Sequence, residues 1–111
     1  MNLEFVQLIT THNDEIKNMF CQISELIKDS VSVEVEEKLW ARLPSFYVGE
    51  NFVRIIPFKD HLNIEAKEIV TYKSELLGFK ITPKGMLQIF SGQEIPQEIL
   101  GKVFNKTLQL D

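Results

Sequence analysis

The chain has 111 residues, 44% of them hydrophobic and 25% charged, ordinary proportions for a globular domain. This length falls short of the ~150 residues of a typical domain, which excludes a multidomain enzyme and leaves little room for a complete dinucleotide-binding fold. The net charge of −4 argues against a nucleic-acid backbone as the main partner, because phosphate recognition wants a basic face.

Leu3, Phe5, Val6, Leu8 and Ile9 suit a short helix, broken by Thr10-Thr11-His12-Asn13. Thr11 or Asn13 can cap a second helix, with Asp14 and Glu15 well placed against its positive end. Ile16, Met19, Phe20, Ile23, Leu26 and Ile27 keep a 3–4 spacing over about four turns, the pattern of an amphipathic helix that stops at Asp29-Ser30. The period then changes to two. Val31, Val33, Val35, Leu39, Ala41 and Leu43 share one parity, which predicts a half-buried strand over 33–42. Glu37 falls on the apolar parity, so either a bulge intervenes or the strand begins at Glu36-Glu37. Pro44 is expected to end that strand or to sit on an edge.

Phe46-Tyr47-Val48 and Phe52–Ile56 flank Gly49-Glu50-Asn51, a hairpin signal. Lys59-Asp60 marks another turn, and 61–65 alternate as a strand. Residues 66–77 read as a helix stopped by Gly78. Residues 79–81, a turn at 82–85 and residues 86–90 supply a last strand. Pro96 opens a closing helix with Ile99, Leu100, Val103, Phe104 and Leu108 as its buried stripe. Short turns between strands require antiparallel pairing. The expected fold is α+β: one domain over 1–111, an antiparallel sheet of about five strands, and helices packed mainly on one face.

Charge is uneven. Residues 1–37 carry a net −6 and the remainder +2. One cysteine, Cys21, excludes an internal disulfide, and one Cys with two His cannot build a Cys-rich zinc site. Beside the apolar stripe of its helix, Cys21 is expected to be a small core filler. Neither a basic-then-apolar leader nor an apolar run near ~20 residues occurs, so a cytoplasmic location without a membrane partner is expected. No phosphate-binding glycine loop, zinc-protease motif or nucleophile elbow is present, and an enzyme is not expected.

Two constellations remain. The first is acidic: Glu15, Glu25 and Asp29 share a polar helix face, and Glu34, Glu36 and Glu37 follow. Clustered carboxylates suit a hard cation, although a solvated face is the plainer alternative. The second is aromatic. Trp40 sits on the charged parity of its strand, which points to a covering helix or a small cleft. Such a cleft would be lined by Trp40, Tyr47, His61 and Tyr72.

The run Leu39-Trp40-Ala41-Arg42-Leu43-Pro44-Ser45-Phe46 resembles the tryptophan–proline–phenylalanine segment of the YdhG-like family of small bacterial proteins. Lys59-Asp60-His61-Leu62-Asn63-Ile64, Lys84-Gly85-Met86-Leu87-Gln88-Ile89-Phe90 and Ile95-Pro96-Gln97-Glu98-Ile99-Leu100 resemble further segments of that family, in order, across roughly 16–108. The proline lies one residue later than in the family pattern, and Gln88-Ile89 replaces its Arg-Phe. The resemblance implies a frataxin-like α+β domain and a role as an iron chaperone, holding Fe²⁺ weakly on carboxylates for delivery to iron–sulfur or haem assembly proteins. Two functional expectations follow. One is a non-catalytic iron-binding protein using Glu15, Glu25, Asp29, Glu34, Glu36 and Glu37. The other is a small-molecule or protein-binding module near Trp40 and His61 with no metal role.

Overall fold

The computed structural model describes residues 2–109. Two asparagines start the first two helices. Asn2 Oδ1 accepts from the backbone N–H groups of Glu4 and Phe5 at 2.8 and 3.2 Å, opening α1 (Leu3–Ile9). Asn13 Oδ1 accepts from Ile16 N at 2.9 Å, opening α2 (Asp14–Asp29). Each bond satisfies a donor that the helix itself leaves without a partner.

Six strands follow: β1 (Glu36–Trp40), β2 (Leu43–Val48), β3 (Asn51–Pro57), β4 (His61–Ala66), β5 (Lys80–Ile81) and β6 (Leu87–Phe90). They form one sheet in the order β1-β2-β3-β4-β6-β5, antiparallel throughout. The chain closes with α3 (Gln97–Leu108). The fold is therefore α+β, with six strands where about five are expected.

Register decides what each face carries. Phe46 opposes Val53, Ile55 opposes Ile64, Ile64 opposes Leu87, and Leu62 opposes Ile89. All are buried, and they meet Ile16, Phe20, Ile23 and Ile27 of α2 and Leu100, Val103, Phe104 and Leu108 of α3. Phe5 closes one end, its ring meeting those of Phe20 and Phe46 edge-on at 6.1 and 5.4 Å. Each such side chain contributes ~1.5–3 kcal/mol by leaving water.

Several expectations need correction. β1 is shorter than 33–42; of the two alternatives for Glu37 the second holds, the strand beginning at Glu36 with Glu37 facing the helix side. Ala41 and Arg42 are not strand: they form a two-residue turn at φ 50° and 67°. Pro44 lies inside β2 and pairs with Leu39. Trp40 and Leu43 close the hairpin, so Leu39–Pro44 is a pair without mutual hydrogen bonds, and the missing proline N–H leaves no gap on the β1 side. Residues 66–77 are not an α-helix. Lys67–Glu75 form a 3₁₀ segment kinked at Tyr72, where the β-branched run Ile69-Val70-Thr71 weakens α-helical preference. Cys21 is exposed; Ser24 is the small residue that α2 buries.

Candidate functional site

The opposite parity of each strand points away from the helices. It carries Glu36, Lys38 and Trp40 from β1, Ser45 and Tyr47 from β2, Phe52, Arg54 and Ile56 from β3, His61, Asn63 and Glu65 from β4, and Gln88 and Phe90 from β6. Among the described residues, no helix lies over this face. Trp40 is 53% exposed and Phe58, just beyond β3, 41%. The helix expected to cover Trp40 is not there, because the sheet's apolar parity draws all three helices to its other side.

Arg54 organises one half of the face. It is only 6% exposed although nothing but neighbouring side chains shields it. Its Nε donates to Ser45 Oγ at 3.0 Å, Nη1 to Glu65 Oε1 at 3.3 Å, and Nη2 to Tyr47 Oη at 3.1 Å. The guanidinium carbon lies 4.0 Å from the Trp40 ring centroid and 3.8 Å from that of Phe52. Lys38 Nζ lies 4.6 Å from the Tyr47 ring centroid. A planar cation with five donors suits this combination of stacking and forked hydrogen bonding, which a lysine could not reproduce.

A second cluster occupies β4 and its neighbours. Phe58 stacks on His61 at 4.5 Å and an interplanar angle of 9°, and His61 on Phe90 at 4.7 Å. His61 Nδ1 donates to Asp60 Oδ1 at 2.8 Å, and this bond holds the Asp60 carboxyl below its usual pKa. Asn63 lies on the strand between the two clusters, 9% exposed, its Oδ1 without a partner among the described residues.

Of the expected cleft residues, the structure puts Trp40 and Tyr47 around Arg54 and His61 in the neighbouring stack. All three share one face, and none of the five main surface hollows among the described residues is lined by them. Tyr72 is elsewhere, on the 3₁₀ segment against the core. The sequence reading missed Arg54, Phe52, Phe58 and Phe90. The signal was the period-two run Phe52, Arg54, Ile56, Phe58, legible only once its parity is assigned to the face without helices.

The carboxylates are dispersed among local partners. Glu15 Oε1 accepts from Gly92 N at 2.6 Å. Glu37 Oε1 accepts from Asn2 N at 3.0 Å, and its Oε2 lies 3.2 Å from Lys28 Nζ. Glu25 also pairs with Lys28, at 3.6 Å, and Glu36 pairs with Lys38 at 3.4 Å. Asp29 is exposed at the end of α2. Glu34, Glu36, Glu37 and Lys28 border one shallow hollow. Burial opposes the charge on Lys28, but Glu37 and then Glu25 outweigh it and raise its pKa. Repulsion between Glu25 and Glu37 is thus relieved by a lysine of the same chain. Among the described residues, no group of three or more His, Cys, Asp or Glu side chains is gathered as a metal site would require.

Comparison with protein-family models, with curated proteins and with solved structures gives no match.

Proposed function

We propose that this protein is a non-catalytic binding module that docks a protein partner on the uncovered face of its sheet. The observation that carries the reading is the layer built around Arg54, with Trp40 and Phe58 standing exposed beside it. Small soluble domains usually expose apolar side chains singly; two aromatic clusters on one sheet face, one on either side of Asn63, are a feature of interaction surfaces. Trp, Tyr and Arg are also the residue types that dominate binding energy at such surfaces. None of the five main surface hollows among the described residues is lined by Trp40, Tyr47 or His61; small ligands need concave sites, so a macromolecule suits this face better. Lys28 competes with any cation for Glu25 and Glu37, so the acidic portion offers the iron reading less support than the aromatic face offers this one.

Site-specific photocrosslinking tests the reading. A photoreactive phenylalanine at position 40 or 58 is expected to give a discrete adduct in the native cytosol, while the same group at position 102 on α3 gives none. Equal labelling from all three positions, or none from 40 and 58, overturns it.

A further inference from the structure

We infer that the partner is an acidic polypeptide segment with apolar anchor residues; this rests on the docking reading above. Both carboxylates on the uncovered face are engaged, Glu36 by Lys38 at 3.4 Å and Glu65 by Arg54 at 3.3 Å. Four cations at the borders of the face form no ion pair among the described residues: Arg42, Lys67, Lys80 and Lys84. Arg42 stands at the tip of the β1–β2 hairpin. Lys80 lies on edge strand β5, its Nζ 5.6 Å from the Phe90 ring centroid. Lys67 and Lys84 line a hollow of about 230 Å³ at the rim, together with Phe52 and Glu65 of the face and Glu50. The chain as a whole carries −4, with residues 1–37 at −6, yet at the border of the aromatic layer these four cations outnumber the two acids there, Glu50, which forms no ion pair among the described residues, and Asp60, which is hydrogen-bonded to His61.

A complementary partner presents carboxylates at the margins and apolar side chains between them. Six strands make five gaps of ~4.8 Å, so the face is ~24 Å wide, the length of about seven extended residues. A single-stranded nucleic acid would also bring negative charge and flat rings. It would need free ring faces for its bases. Here Trp40 and Phe52 give ring surface to Arg54, Tyr47 gives it to Lys38, and Phe58, His61 and Phe90 stack on one another. What remains exposed suits aliphatic and aromatic side chains better than a run of stacked bases.

The test is selection from a random twelve-residue peptide library on the folded full chain, with a random single-stranded RNA pool selected in parallel. Enriched peptides are expected to carry Asp or Glu beside Leu, Ile or Phe. Their affinity is expected to fall about tenfold in Lys80→Glu/Lys84→Glu and to vanish in Trp40→Ala/Phe58→Ala, with both variants verified as folded by circular dichroism. Trp40, the only tryptophan, reports the binding in the charge-reversal variant by its fluorescence. Enriched peptides lacking carboxylates, or indifferent to the charge reversal, overturn this inference while leaving docking on the face intact. Enrichment of RNA instead of peptide assigns a different class of partner and overturns it. No enrichment of either, or binding unaffected by Trp40→Ala/Phe58→Ala, also overturns it, and the crosslinks from positions 40 and 58 then decide whether the docking reading survives.

Discussion

Arg54 and Trp40 are held face to ring, guanidinium carbon to indole centroid, at 4.0 Å across the β1–β2–β3 portion of the sheet. The contact matters because Arg54 is also the buried end of an ion pair whose other member, Glu65, is partly exposed. Replacing Arg54 by lysine keeps the charge and loses the fork and the stacking surface. Arg54→Lys is expected to lower stability by about 2 kcal/mol, within the range for disrupting a partly buried pair and a cation–π contact. Urea unfolding measures the loss. The emission of Trp40 should shift to the red in the folded state as its ring loses a neighbour.

The β1–β2 hairpin carries strain. Ala41 and Arg42 both have positive φ, a conformation that costs a residue with a Cβ ~1–2 kcal/mol. Two-residue hairpin turns of this hand favour Asn-Gly. Ala41→Asn/Arg42→Gly is expected to raise stability by about 1 kcal/mol or more, read as a higher urea midpoint at unchanged slope.

Ser24 Oγ is buried in the core face of α2 without a hydrogen-bond partner among the described residues. Alanine is the better helix former and has no polar atom to desolvate. Ser24→Ala should therefore stabilise the fold by ~1 kcal/mol. Cys21→Ala, three residues away on the exposed side of the same helix, should change it by less than ~0.5 kcal/mol. Thermal unfolding of the two variants makes the comparison.

Asp60 gives a pH signature of known sign. Its hydrogen bond with His61 lowers its pKa in the folded state. A carboxyl with a depressed folded pKa adds stability above its unfolded pKa, and that stability is lost as pH falls through the folded value. Wild type is expected to exceed Asp60→Asn in stability at neutral pH, with the difference shrinking to nothing under strong acid. Urea midpoints at a series of pH values measure it. A difference that grows on acidification would contradict the bond.

Much of the fold was legible in the chain because local chemistry and tertiary packing agree there. The 3–4 spacing from Ile16 to Ile27 and the cap at Asn13 mark α2, since the same side chains that make it amphipathic fill the core. Gly49 and the Lys59-Asp60 turn place β2, β3 and β4 in antiparallel order. Legibility failed where one residue type fits two environments. Ile69, Val70 and Thr71 pass for part of an apolar helix stripe yet sit in a 3₁₀ segment. Cys21 borders the apolar stripe by spacing, but the rotation of α2 buries Ser24 instead.

Composition and period alone determined that this is a small acidic α+β domain with an antiparallel sheet and an acid-rich opening third. Those properties follow from which side chains must leave water, and that is written residue by residue. Only the tertiary structure decided which strand parity faces the helices, and hence that Trp40, Tyr47, Phe52, Arg54, Phe58, His61 and Phe90 share an uncovered layer. Alternation says that two faces differ. Register across six strands, set by contacts distant in sequence, is what brings those side chains together and puts Lys28 between Glu25 and Glu37.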